Sequence, residues 1–78
     1  MPTILTVSGF RFFFYSGDKN EPIHIHVTKG SATGKIWLEP EISIAYMVGF
    51  NNKDIRDIIK VVTNNNESFK LKWNEYFA

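Results

Sequence analysis

The stretch Glu21-Pro-Ile-His-Ile-His-Val27 holds both histidines of the chain, one residue apart. In an extended segment alternate side chains leave the backbone on opposite sides. His24 and His26 then share one face, about 6.5–7 Å apart along the strand, while Ile23, Ile25 and Val27 take the other. Imidazoles titrate near neutral pH and bind metals through a neutral ring nitrogen. The pair therefore admits several chemistries. Two imidazoles can hold one divalent ion when a carboxylate completes the set. Glu21, Asp18 and Glu39 are the candidates, and the set read from local sequence is His24, His26 and Glu21. With no thiol and no second histidine motif, a closed structural zinc site is not expected; an open site with two histidines and one carboxylate is the form a metal reading takes. Alternatively, the imidazoles can divide general acid and general base roles in phosphodiester cleavage. Arg11 or Lys35 would hold the anion, and the catalytic set is His24, His26 and Arg11. The plainest reading makes the histidines the solvent side of a half-buried strand, or the lining of a surface for a partner.

Other motifs are weaker. An alternating triad of nucleotide-hydrolase type needs a third histidine, and Thr28 stands at the next alternate position. Thr28-Lys-Gly-Ser-Ala-Thr-Gly-Lys35 ends in Gly-Lys, but three residues rather than four separate its glycines and Ile36 follows the lysine, so it reads as a hairpin turn and not a phosphate loop. Ser16-Gly-Asp-Lys-Asn-Glu21 is acidic and turn-forming but lacks the ligand spacing of a calcium loop. The serines sit in ordinary contexts and support no catalytic triad.

The elements that must position the histidines follow from patterning. Thr3–Val7 and Phe10–Ser16 are β-branched and aromatic and flank Ser8-Gly9, which reads as a hairpin. Phe10, Phe12 and Phe14 form one aromatic face, expected in the core, against a mixed face of Arg11, Phe13 and Tyr15. Further strands are expected over residues 23–27 and 35–40, joined by a turn over residues 28–34. Residues 42–48 read as a short apolar strand or a buried turn of helix. The period then changes. Asn51 and Asn52 are helix N-cap candidates, and Asp54 suits the first turn. Ile55, Ile58, Ile59 and Val62 recur at helical spacing, as do Phe69, Trp73 and Phe77 beyond Asn64-Asn65-Asn66. One helix of about 25 residues would span roughly 37 Å, too long for a domain with a radius of gyration of about 12 Å. Two helices are favoured over one.

The expected fold is α+β: an antiparallel sheet of four to five short strands with one or two C-terminal helices packed on one face. The expected core is Phe10, Phe12, Phe14, Ile23, Ile25, Val27, Ile36, Leu38, Ile55, Ile58, Ile59, Val62, Phe69 and Trp73. The C-terminal aromatics could instead face a partner, but docking on the sheet is favoured.

Size and composition bound what such a fold can do. The chain has 78 residues, so a single domain over residues 1–78 is expected. A small domain needs large side chains to build a core, and seven Phe, three Tyr and two Trp supply them. There is no cysteine, which excludes disulfides, thiolate ligands and a cysteine nucleophile. A net charge of +1 gives no general case for nucleic acid or anionic membrane. The start Met-Pro-Thr-Ile-Leu-Thr-Val does not resemble a secretory signal, and no apolar run is long enough to span a bilayer. The reading is a cytoplasmic protein without organic cofactor, a divalent metal being the one candidate.

The combination of an MPTI start, GFRFFFYS, EPIHIHV, KIWLEP and a late WNEYFA resembles a family of short prokaryotic proteins that share a domain of unknown function. The resemblance covers nearly the whole chain and rests on Arg11, Phe12, Ser16, Glu21, Pro22, His24, His26, Val27, Trp37, Leu38, Pro40 and Trp73. It implies a small α+β fold and a small partner protein from the same operon, in a pair of toxin–antitoxin type. It implies no established reaction. The functional expectation is an interaction module, with a ribonuclease-like hydrolase or a weak metal-binding module as the alternatives. Nucleic acid enters only as the substrate of that hydrolase, no membrane is involved, and a homodimer is a further option.

Overall fold

The computed structural model describes residues 3–78, so Met1 and Pro2 of the MPTI start lie outside it. Strands β1 (Thr3–Val7), β2 (Phe10–Phe13), β3 (His24–Lys29), β4 (Ala32–Trp37) and β5 (Ser43–Val48) form one antiparallel sheet in sequential order. Two helices follow, α1 (Asn52–Asn64) and α2 (Asn66–Tyr76). This is the α+β architecture expected from the patterning.

The turns show why the strands pair as they do. Ser8 and Gly9 both take positive φ, 52° and 84°, which matches the twist of a tight hairpin. The bend expected over residues 28–34 is shorter than its composition suggested. Thr28 pairs with Thr33 and Lys29 with Ala32, so only Gly30 and Ser31 turn. Residues 42–48 are extended rather than helical, but they are not buried: β5 is an edge strand, exposed along most of its length.

The helices divide at the asparagine run. The Asn51 side chain accepts the Asp54 N–H at 2.8 Å and starts α1. At the other end, Asn65 leaves helical geometry (φ −117°, ψ 14°), and its amide donates to the Val61 carbonyl at 2.8 Å. That side-chain bond competes with continuation of the ladder. The break keeps the radius of gyration at 11.5 Å.

One face of the sheet carries the core. Phe10, Phe12, Phe14, Ile25, Val27, Ile36 and Leu38 pack against Ile58 and Val62 of α1 and Phe69 and Trp73 of α2. Phe12 meets Phe69 at 5.7 Å between ring centroids, and Phe14 meets Trp73 edge-on at 5.2 Å. Ile23 and Ile59, expected in the core, are only partly buried and pack at its margin; Ile55 is also partly buried.

The second face departs from expectation. Phe13, His24 and His26 are as buried as the core although alternation puts them on the other side of their strands from Phe12, Ile25 and Val27. Residues 16–20 form a short 3-10 helix, Ser16–Asn20, which contributes Asp18 beside the two imidazoles. Trp73 closes the end of the sheet, touching His24 at 5.1 Å as well as Phe14.

Candidate functional site

Alternation along β3 sets the site. Ile25 and Val27 enter the helix-facing core, while His24 and His26 emerge together on the opposite face, their ring centroids 5.0 Å apart. Their exposures are 0% and 5%, so the reading of a solvent-facing pair is corrected: this face is covered. His26 stacks on Phe13, its cross-strand partner, at 5.6 Å, and meets Tyr15 at 4.6 Å. His24 packs edge-on against Trp37, its partner on β4, at 5.3 Å.

Asp18 completes the cluster. Its N–H donates to the Tyr15 carbonyl at 3.1 Å, and its Oδ2 accepts the Tyr15 N–H at 2.8 Å, so the carboxylate folds back over the start of the 3-10 helix. That same Oδ2 lies 3.1 Å from His24 Nε2 and 3.2 Å from His26 Nε2. Asp18 is 8% exposed. A carboxylate is rarely buried unless it is paired, and its neighbours here are a backbone N–H and two imidazoles.

The protons on the rings follow from the contacts. His24 Nδ1 lies 2.8 Å from the Pro22 carbonyl. A carbonyl only accepts, so Nδ1 carries the proton, and in the neutral ring Nε2 presents a lone pair. Neither His24 Nε2 nor either nitrogen of His26 completes a hydrogen bond to the described residues. Burial holds His26 below the ordinary imidazole pKa; attraction to Asp18 opposes this and only partly offsets it.

The other sequence candidates lie around this cluster. Glu21 Oε1 is 3.8 Å from His24 Nδ1, on the side of the ring opposite the cluster, and its ion pair is with Lys35 at 2.6 Å. The hydrogen bond from Lys35 lowers the Glu21 pKa. Lys35 also sits over the Trp37 ring at 4.3 Å, so it is committed to this pairing. Glu39 pairs with Lys70 on α2 at 3.2 Å. Arg11 stands on the same face of β2 as Phe13, with its guanidinium 4.9 Å from that ring, opposite Thr28 and exposed to solvent. The structure thus brings together His24, His26 and Asp18; Glu21 borders them, and Arg11 and Glu39 are engaged elsewhere.

What this arrangement can do is limited by access. Among the described residues no cavity opens onto either ring. Three buried donor atoms can share a proton or hold an ion, whereas hydrolysis of a phosphodiester needs room for the ester beside both rings. The walls of the site were the part that sequence reading missed. Phe13, Tyr15 and Trp37 share the histidine face by parity, and three aromatics on a nominally polar face are the signal that something covers it.

A second feature stands apart. On β5, Ile44, Tyr46 and Val48 are 47%, 42% and 58% exposed. The strand pairs with β4 on one side and with nothing described on the other.

A family model, described as a domain of unknown function (DUF4160), matches residues 9–74. No curated protein and no solved structure gives a significant match.

Proposed function

The chain belongs to this DUF4160 family, and we propose that it is a small protein-interaction module, one half of a toxin–antitoxin-like pair, whose partner docks along the exposed β5 edge. The observation that carries the reading is β5 itself. Free sheet edges offer unpaired N–H and C=O groups, and proteins normally blunt them with charges, proline or bulges that turn the edge away. Ser43-Ile-Ala-Tyr-Met-Val48 holds no charge and no proline, and it presents three large apolar side chains to solvent. A bulge lies between Lys35 and Ile36 on the pairing with β4, but the strand continues through it. An added strand would gain main-chain hydrogen bonds from the edge and side-chain contacts from Ile44, Tyr46 and Val48. The opposite edge, β1, exposes Thr3 and Thr6 and keeps Ile4, Leu5 and Val7 partly buried, so it offers less apolar surface.

The pairing with a co-encoded partner rests on the family resemblance, and such a pair would work in the cytoplasm. Among the described residues no helix is long and apolar enough to cross a membrane. The hydrolase alternative gains nothing from the geometry, because both rings are buried and Arg11 is turned to Phe13.

Co-expression with the protein encoded beside it tests the proposal. The partner should co-purify with the wild-type chain and be lost with the double variant Tyr46→Lys/Val48→Lys, which places charges on the edge without touching the core. Failure to co-purify, or equal capture by the variant, would contradict it. A dimer of the chain alone that the same variant dissociates would reassign the edge to a second copy.

A further inference from the structure

We infer that Asp18, His24 and His26 form a site for one divalent transition-metal ion of zinc-like chemistry, which pins the Ser16–Asn20 helix to β3. The inference does not depend on the partner reading, and either can fail alone.

The donor atoms converge. Asp18 Oδ2 lies 3.1 and 3.2 Å from the two Nε2 atoms, and all three side chains offer a ligand atom within 4.8 Å of the others. Around an ion bound at about 2.0–2.2 Å, neighbouring ligands in tetrahedral or octahedral arrangement stand about 2.9–3.5 Å apart. Both carboxylate–imidazole separations fall in that window.

The protons point the same way. With its hydrogen committed to the Pro22 carbonyl, His24 presents an Nε2 lone pair that lies close to the Asp18 oxygen but points past it, toward the space between the three side chains. Two acceptors held this close in a buried setting repel unless a cation or a proton is shared between them. A proton on either Nε2 would be poorly aimed at that oxygen, so hydrogen bonding leaves His24 Nε2 and both nitrogens of His26 unserved, and all three are buried. One metal ion engages His24 Nε2, His26 Nε2 and Asp18 Oδ2 together.

Outer contacts of the kind that metal ligands require are in place. The Pro22 carbonyl fixes the His24 ring, and the Tyr15 N–H fixes the Asp18 carboxylate; such partners set tautomer and orientation at metal centres. Nearby Lys35 and Glu21 neutralise each other, so the local charge is left to Asp18 and the ion. Two imidazoles and one carboxylate suit zinc, iron, nickel or copper, whereas calcium and magnesium prefer oxygen throughout. Three protein ligands leave a coordination position for water or the second Asp18 oxygen. Buried among aromatics, the ion would hold structure rather than meet substrate.

The full chain, stripped of metal by a chelator, is titrated with Zn²⁺ by calorimetry and with Co²⁺ by visible absorption. One ion per chain should bind with micromolar or tighter affinity, and Co²⁺ should give ligand-field bands. Asp18→Asn, which keeps an amide oxygen for the Tyr15 N–H, and His26→Ala should each weaken binding about tenfold or more. Glu21→Gln should leave affinity within about twofold, since that carboxylate is outside the ligand set. Circular dichroism checks that each variant is folded, and a folded Asp18→Asn is sufficient on its own. Absence of saturable binding below about millimolar ion would overturn the inference and leave the proton-sharing reading. Binding that survives Asp18→Asn but is lost in Glu21→Gln would overturn it in favour of the other carboxylate.

Discussion

Replacing Asp18 by alanine removes a single carboxylate and tests whether it fastens the segment that covers the histidines. In the metal-free chain the direct loss is the bond from the Tyr15 N–H to Oδ2, at 2.8 Å. A hydrogen bond to a charged group contributes about 1.5–3 kcal/mol. Two effects reduce the net cost. Alanine needs no desolvation of a carboxylate, and it removes the crowding of Oδ2 against the buried, unbonded His24 Nε2, 3.1 Å away. The remainder is about 1 kcal/mol, in the range of a lost helix cap. For a domain of this size that lowers Tm by about 4–8 °C. Thermal unfolding followed by circular dichroism in excess chelator measures it. With zinc at about a hundred times the wild-type Kd the wild-type chain gains about 2.7 kcal/mol and a variant binding tenfold more weakly gains about 1.4 kcal/mol, so the gap widens to about 2 kcal/mol or more. A variant as stable as wild type in chelator would refute the tethering role. A gap that zinc does not widen would refute the metal link.

Two further outcomes follow from the same structure. Phe69→Ala, at a fully buried ring packed on Phe12, should cost about 3–5 kcal/mol, enough to consume much of the stability of so small a domain; urea denaturation would show it, and a loss under about 1 kcal/mol would mean that the α2–sheet contact is not core. For pH, the folded chain holds the His26 pKa below its ordinary 6.5, mainly by burial. As pH falls below about 6.5 the unfolded chain takes that proton first, so the metal-free protein should lose stability on acidification, and the loss should be smaller in His26→Gln.

Much of this molecule was legible in its residues. The Ser8-Gly9 hairpin, the parity that sends His24 and His26 out together, the Asn51 cap and the break near Asn65 all depend on neighbours a few positions apart, where local chemistry decides. The site was legible only in half. Asp18 stands six residues before His24, and its place at Nε2 depends on a 3-10 turn that folds it back onto Tyr15. Turn composition at Ser16-Gly-Asp-Lys-Asn20 announced a bend but not its direction. Glu21 was nearer in sequence and carried the same charge, yet Lys35 on the neighbouring strand claims it. The burial of the histidine face was hidden for a related reason. Alternation of apolar and polar residues separates two sides of a strand but does not say which is wet. The answer lay across strands, in Phe13 and Trp37 flanking the rings. Strand β5 shows the converse: its apolar run left a strand and a buried turn of helix both open, and its place at the end of the strand order left it exposed.

The two imidazoles and Asp18 act as one cluster, with the His24 proton held outward on Nδ1. Long-range ¹⁵N–¹H correlation of the histidine rings in the metal-free chain at neutral pH reads that directly. His24 should show a protonated Nδ1 and an unprotonated Nε2, and the Nε2 resonances of both rings should move when Zn²⁺ is added. A proton on His24 Nε2, or Nε2 signals that ignore the ion, would contradict it.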